Sequence, residues 1–467
     1  MKKVFALVAT LALCAMTFPH ASVNGRAAAK DGEGKAKYKA DEILIQFKPG
    51  AAIEDIVSAR NSVGALTKKQ LKKAEKLAAK GELELAAIQS GLSVEDAVRI
   101  VQEHPAVAFA EPNYVVTHQL AATDSYYTNG NLWGMYGDAT TPVNVYGSQA
   151  GEAWAAGHTG SNSVYVGVID EGIDPLHIDL AANIWTNPYD PIDGVDNDGN
   201  GYADDVNGWD FYQDNSSIYD GTRPSDYDTD LHGTHVAGTI GALSNGLGVV
   251  GVNWNVTMIS AKFLGPDGGT IADAIAAINY FVDLKTRHGL NIVAINNSWG
   301  GGGYSQALHD AVIRAAKANM LFTAAAGNGN LAGIGQNNDT RASYPSNYNT
   351  TQGTTTESAA SYDAVIAVAA LTSTGALAKY SNYGVTMVDI GAPGSGVWST
   401  SPNNTLTRLD GTSMATPHVT GGIALYASTH PTATPQQIRS AILTTGVATS
   451  SLNKKTMTGR RLNVSTF

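Results

Sequence analysis

The chain has 467 residues, 43% of them hydrophobic and 15% charged, a composition of folded protein and a length beyond one small core. A formal net charge of −11 excludes the basic surface that nucleic-acid binding requires, and the single cysteine, Cys14, excludes an intrachain disulfide. Basic residues slightly outnumber acidic ones up to residue 120, and acidic ones predominate beyond it. Two halves of opposite sign are suited to docking on one another, although a solvated charge run accounts for the first half equally well.

Residues 1–29 read as a secretory signal: Lys2 and Lys3, an apolar stretch from Val4 to Phe18, then small residues. The run is too short for a stable membrane span, and no later stretch is apolar enough for one, so an exported, soluble product is expected. A lipoprotein reading of Leu11 to Cys14 lacks the small residue expected before the cysteine. Lys30 to Lys39 reads as a flexible linker. Ile43 to Phe47 is a short strand closed by Pro49-Gly50, and Lys68 to Leu85 is helix-prone in Ala, Lys, Leu and Glu. Ser93 offers a helix start before Val98, Ile100 and Val101, and Val107 to Phe109 is another strand. These elements predict a small α+β domain within residues 30–120.

From residue 121 the pattern changes. Val164 to Ile169 is a near-continuous β-prone apolar run, as expected of a parallel strand covered on both faces. Similar runs recur at Met258-Ile259, Ile292 to Ile295, Met320 to Phe322 and Val365 to Val368, with helical patterns between them at Ile271 to Leu284 and Ser305 to Lys317. Residues 121–467 are therefore expected to form an α/β domain on a mainly parallel sheet, whose chemistry gathers at the carboxyl ends of the strands.

Three segments carry candidate chemistry. Asp170 ends the run Val168-Ile169-Asp170 and is followed by Glu171-Gly172. His232 opens His232-Gly233-Thr234-His235-Val236-Ala237-Gly238. Ser413 lies in Gly411-Thr412-Ser413-Met414-Ala415-Thr416-Pro417. Singly, each has an ordinary structural reading as a helix cap, an ion-pair partner or a structural histidine. Together they supply a hydroxyl, a base to take its proton and a carboxylate to fix the base's tautomer. Their order, Asp then His then Ser, is the order of subtilisin. His232 and His235 also invite a zinc reading, but the Glu of H-E-x-x-H is missing.

These segments resemble the signatures of the subtilase family, and the resemblance runs through residues 121–467. It implies a subtilisin-like three-layer fold preceded by a ferredoxin-like pro-domain, and an extracellular serine endopeptidase acting on protein substrates through an acyl-enzyme. Asp170 becomes the orienting carboxylate, His232 the general base and acid, Ser413 the nucleophile, and Asn328, in Ala324-Ala325-Ala326-Gly327-Asn328, an oxyanion donor worth about 3 kcal/mol. Glu171 departs from the pattern, standing where many relatives carry a small hydroxyl residue. By the same resemblance Ser298-Trp299-Gly300 and Gly268-Gly269 edge the substrate strand. Ala325, Ala326 and Gly327 line the first specificity pocket above Ser343, where the absence of an acid favours an uncharged residue over Lys or Arg. The stretch between Tyr344-Pro345 and Val365 is longer than in short relatives and is expected near the rim. The segment ending Phe109-Ala110-Glu111-Pro112-Asn113-Tyr114 resembles an inhibitory propeptide cut near residues 118–123.

Calcium is the expected ion. Asp196, Asp198, Asn200, Tyr202, Asp204 and Asp205 lie in a loop with oxygen side chains at alternate positions and a glycine at the turn, although an acidic surface turn would read the same. A second site follows from the resemblance: the side chains of Asp179 and Asn245 with the carbonyls of Leu243, Leu247 and Val249. Two other functions stay open, a narrow-specificity processing protease and an inactive Ca²⁺-binding surface protein on the same fold.

Overall fold

The computed structural model describes residues 38–70, 81–114, 122–221 and 230–467. The signal-like segment, Cys14 and most of the linker lie outside them. The chain divides into two compact units, Met1–Thr117 and His118–Phe467.

Among the described residues, the first unit is a four-stranded antiparallel sheet with two helices. Its strands are β1 (Tyr38–Phe47), β2 (Ala65–Gln70), β3 (Leu83–Ile88) and β4 (Val107–Tyr114), in the order β2-β3-β1-β4. Helices α1 (Ile53–Ser62) and α2 (Val94–Gln102) bury Ile56, Ala59, Val94, Ala97 and Val101 against Ile43, Ile45 and Phe47. Ser93 caps α2, its hydroxyl accepting the Asp96 N–H at 3.1 Å. The helix expected over Lys68 to Leu85 is contradicted at both ends, and residues 71–80 between them lie outside the described residues. Lys68 and Lys69 lie in β2, and Leu83 to Leu85 lie in β3. Pairing of β3 with both β1 and β2 outweighs the local helix preference.

The second unit is built on a nine-stranded sheet. Its members are β5 (Gly160–Asp170), β6 (Gly208–Asp210), β7 (Asn255–Lys262), β8 (Ile292–Asn297), β9 (Leu321–Ala325), β10 (Val365–Leu371), β11 (Ile390–Pro393), β14 (Val447–Ala448) and β15 (Arg460–Arg461). The order is β14-β15-β11-β10-β9-β8-β5-β7-β6, and every pairing but β14 with β15 is parallel. A separate hairpin joins β12 (Val397–Ser401) to β13 (Thr405–Leu409).

Helices cover both faces of the sheet, giving three layers. Val164, Val166 and Val168 of β5 pack with Val236 and Ile240 of α3 (Leu231–Gly241) and with Val419 and Ile423 of α6 (Thr412–Thr429). Ile169 enters the opposite core, with Ile278 and Phe281 of α4 (Ile271–His288) and Leu308 and Val312 of α5 (Gln306–Lys317). A strand's period of two produces this division. Gly167 sits between, facing Phe281 so closely that a Cβ there would lie 2.7 Å from the ring. The stretch between Pro345 and Val365 runs along α5: Thr354 and Thr356 donate to Asp310, and Glu357 pairs with Lys317 at 2.9 Å.

Candidate active site

The carboxyl end of β5 delivers Asp170, which is 1% exposed. Its Oδ1 lies 2.7 Å from His232 Nδ1 and also accepts the Glu171 N–H at 2.8 Å. Its Oδ2 is buried and has no partner among the described residues. His232 occupies the first turn of α3 and keeps 27% of its side chain exposed. Burial opposes the imidazolium, but the charge and hydrogen bond of Asp170, with Glu171 adding, raise the His232 pKa to about 9. An Nδ1–H held by Asp170 leaves Nε2 as the basic nitrogen.

Glu171 turns its carboxylate back onto the same helix. Oε2 accepts the His232 backbone N–H at 3.1 Å, one of the orphan donors at the start of α3. Burial, reinforced by the adjacent Asp170, pushes the Glu171 pKa up to about 7. Behind this pair lies Lys262, the register partner of Asp170 on β7. Its fully buried ammonium is 2.7 Å from Asp230, the residue preceding α3, and 3.2 Å from Asp220, and it also donates to the Glu171 carbonyl. Lys262 thereby ties two strand ends to the start of the histidine helix. His235, three residues on, serves the core instead: it is fully buried with Nε2 3.0 Å from the Val397 carbonyl oxygen.

Ser413 sits at the second position of α6 and is half-buried. Its hydroxyl donates to the Ser298 carbonyl at 2.9 Å rather than to His232, and the Ser298 hydroxyl donates to the Ser413 carbonyl at 2.8 Å. That carbonyl is free to accept because Pro417, four residues on, has no N–H. Asn328 is oriented by Thr412, whose backbone N–H and hydroxyl both donate to Oδ1 at 2.9 Å. Those two donors assign the amide, leaving its NH₂ as the free end beside Ser413. Thr412 also accepts the Gly327 N–H at 3.2 Å, so one threonine joins the serine helix to the segment after β9.

Ser298, Trp299, Gly300, Ala325, Gly327 and Ser343 line one cavity of about 400 Å³ together with Asn328 and Ser413. Gly327, at φ +110°, admits no side chain: a Cβ would meet Asn382 Nδ2 at 2.5 Å and Ser343 Oγ at 3.2 Å. Ala326 points the other way, fully buried with Ala369 and Val388. Gly268 and Gly269 are outside the lining, in a turn where the Gly268 N–H donates to the Gly265 carbonyl at 2.9 Å.

The profile of the subtilase family matches residues 161–461, and that of the fervidolysin N-terminal prodomain matches residues 24–113. The chain belongs to the subtilase family. This subtilase is 36% identical to subtilisin DY of Bacillus licheniformis over 307 residues, which cover 66% of this chain and 91% of the relative. It is 31% identical to a thermophilic serine proteinase of Bacillus sp. (strain AK1) over 396 residues, 84% of this chain and 79% of that protein. A solved cold-adapted subtilisin-like serine proteinase aligns at 27% identity and a TM-score of 0.47, covering 65% of this chain and 90% of that one. The protein is a subtilisin-like serine endopeptidase with a propeptide domain.

Two oxygen-rich places in this subtilase bear on calcium. In the acidic loop, Asp196 accepts the N–H groups of Gly199, Asn200 and Gly201, winding the turn around one carboxylate. Asp198 lies 2.8 Å from His288, and Asp205 accepts from Tyr280 and Asn200. Asp204 accepts two loop N–H groups, while the Tyr202 ring packs on Trp209, Phe211 and Tyr280. In the second place, Asn245 Nδ2 is 3.0 Å from Asp179 Oδ1, and Asp179 is 1% exposed. The Gly248 backbone leaves room there that a Cβ would close, at 2.3 Å from Asp179 Oδ2. Beside this place Asp124, which no sequence feature singles out, is fully buried and accepts from Ser244 Oγ and from the N–H groups of Asn245 and Gly246. Its signal, a lone acid before a tyrosine pair, carries no period or motif. The donor chemistry of both places is oxygen and suits a hard cation, although among the described residues no three acid, imidazole or thiol side chains converge on one point.

Proposed function

We propose that Asp170, His232, Ser413 and Asn328 carry peptide-bond hydrolysis in an exported enzyme that matures by cutting its own precursor. The Ser413 hydroxyl turns from the Ser298 carbonyl towards His232, whose Nε2 takes its proton as Oγ attacks the scissile carbonyl. The negative oxygen is held by the Asn328 NH₂ and the Ser413 N–H, the latter at a helix N-terminus. Collapse breaks the C–N bond as the imidazolium gives its proton to the leaving amine. Water, deprotonated by the same imidazole, then hydrolyses the acyl ester. The 2.7 Å contact between Asp170 and His232 Nδ1 is the observation that carries this reading.

Residues 1–29 would direct export, 30–120 would fold with and inhibit the protease, and 121–467 would be the mature enzyme acting on extracellular protein. Among the described residues no helix is long and apolar enough to cross a membrane. Calcium would be structural, held by Asp179, Asn245 and neighbouring carbonyls and by the loop from Asp196 to Asp205, bracing exposed turns in a chain without disulfides. Expression of the wild-type precursor beside Ser413→Ala, with N-terminal sequencing and casein hydrolysis, tests the reading. The wild type should mature and digest casein, and the variant should remain a full-length, inactive precursor. A variant that matures unaided would overturn it.

A further inference from the structure

Among the described residues, the cavity beside Ser413 carries a single charged side chain. Of all the residues that line it, only Arg341 has a formal charge. It lies two residues before Ser343, and the stretch from Arg341 to Tyr344 forms one continuous part of the wall. The same arginine borders an adjoining cavity of about 650 Å³, sharing it with Gln336 and Gly329, so Arg341 belongs to the wall of both cavities.

Nothing among the described residues neutralises it. Arg287, Arg314 and Arg439 each reach a carboxylate, at 2.6, 3.4 and 2.7 Å. Arg341 makes no side-chain hydrogen bond or ion pair, and it is exposed. The acid nearest in sequence, Asp339, is turned away: its oxygens accept the N–H groups of Val385, Thr386 and Met387 and the Thr386 hydroxyl. Asn382, also in the lining, is already engaged, accepting from Gly329 and Gln336 and donating to Ala326. The cavity thus has otherwise uncharged walls and, among the described residues, one unpaired cation, whose guanidinium offers five N–H donors. On a chain of net charge −11 this is a local reversal of sign.

We infer that Arg341 is a specificity-determining residue that favours substrates with an acidic side chain immediately before the scissile bond and disfavours Lys and Arg there. The inference rests on the assignment of this cavity as the first specificity pocket of the active site. A glutamate reaching into a pocket walled by Ala325, Gly327 and Ser343 brings its carboxylate towards the Arg341 fork, a geometry guanidinium matches with paired hydrogen bonds. Because Arg341 is solvent-exposed, the effect is a bias and not an absolute requirement, on the order of three- to ten-fold in kcat/KM.

The test uses the mature enzyme and a peptide series that differs only at the residue before the cleaved bond: Glu, Gln and Lys. Wild type, Arg341→Gln and Arg341→Glu are each titrated with a fluorophosphonate, so that rates refer to competent active sites and folding losses drop out. The wild type should cleave the Glu peptide about five-fold better than the Gln peptide, with the ratio shrinking as salt screens the pair. In Arg341→Gln the ratio should fall to about one, and in Arg341→Glu the Lys peptide should overtake the Glu peptide. Equal Glu-to-Gln ratios in all three enzymes would overturn the inference. Wild-type enzyme that takes up no fluorophosphonate at Ser413 would instead sink the active-site assignment beneath it.

Discussion

The Glu171 carboxylate accepts the backbone N–H of His232 at 3.1 Å, so the residue after the orienting acid also caps the helix that carries the base. One side chain thereby fixes the position of the imidazole and adds a second negative charge near it. Glu171 is a positioning residue, and its two effects separate by substitution.

The pH dependence reads the charge. With the His232 pKa raised to about 9 by Asp170 and Glu171 against the opposing effect of burial, kcat/KM should climb with pH through an alkaline midpoint. At that pH Glu171, with a pKa of about 7, is ionised and favours the imidazolium. Glu171→Gln removes the charge but keeps an acceptor, so the rising limb should move to lower pH. Glu171→Ala should move it likewise and also cost about 1 kcal/mol in thermal or denaturant unfolding, the scale of a lost helix cap. An unchanged midpoint in both variants would contradict this role.

Asn328→Ala should lower kcat by about 10²–10³-fold with little change in KM, the scale known for this donor in subtilisin itself. Thr412→Val keeps the backbone donor to Asn328 Oδ1 and loses the hydroxyl one. Its kcat should fall by only about 3- to 10-fold, a loss near 1 kcal/mol. Steady-state kinetics on one chromogenic peptide distinguishes the two. A Thr412→Val loss as deep as that of Asn328→Ala would mean that the threonine does more than orient the amide.

Gly167→Ala tests the packing of the strand that presents Asp170. The new methyl would meet the Phe281 ring at 2.7 Å, and overpacking of this kind costs about 1–3 kcal/mol. Thermal unfolding should record the loss, and Phe281→Leu in the same chain should restore part of it. Additive losses in the double variant would show that the two groups do not meet.

Removal of calcium by a chelator should lower the unfolding temperature of the mature enzyme, with recovery on adding Ca²⁺ in excess. A site present at 100 times its dissociation constant contributes about 2.7 kcal/mol. Asp179→Asn should shrink that response, because Asp179 is the buried carboxylate beside Asn245. A chelator-insensitive wild type would remove calcium from the account.

Much of this was legible in the sequence because the strands of a doubly covered sheet are written as unbroken apolar runs. Val164 to Ile169 marks β5 and with it the place of Asp170, and His232, Asn328 and Ser413 carry motifs in their neighbours. The helix expected over Lys68 to Leu85 gives way to strand at its two ends, where composition favours a helix but pairing between β2 and β3, and of β3 with β1, decides. Residues whose importance arises only from distant contacts were invisible. Lys262 looks like an ordinary strand-end cation until β5 and β7 align it with Asp170. Arg341 sits in a loop with no period or motif, and only closure of the cavity gives its charge a meaning. The resemblance places Ala326 in the pocket with its neighbours, but its side chain enters the core.

The most direct measurement is mass mapping of the mature enzyme after reaction with a fluorophosphonate. One adduct is predicted, on the peptide that contains Ser413, and His232→Ala protein whose propeptide has been removed in trans by an unrelated protease should take up none while remaining folded by circular dichroism. An adduct on any other serine, or undiminished labelling of Ser413 without His232, would contradict the claim that this imidazole activates this hydroxyl.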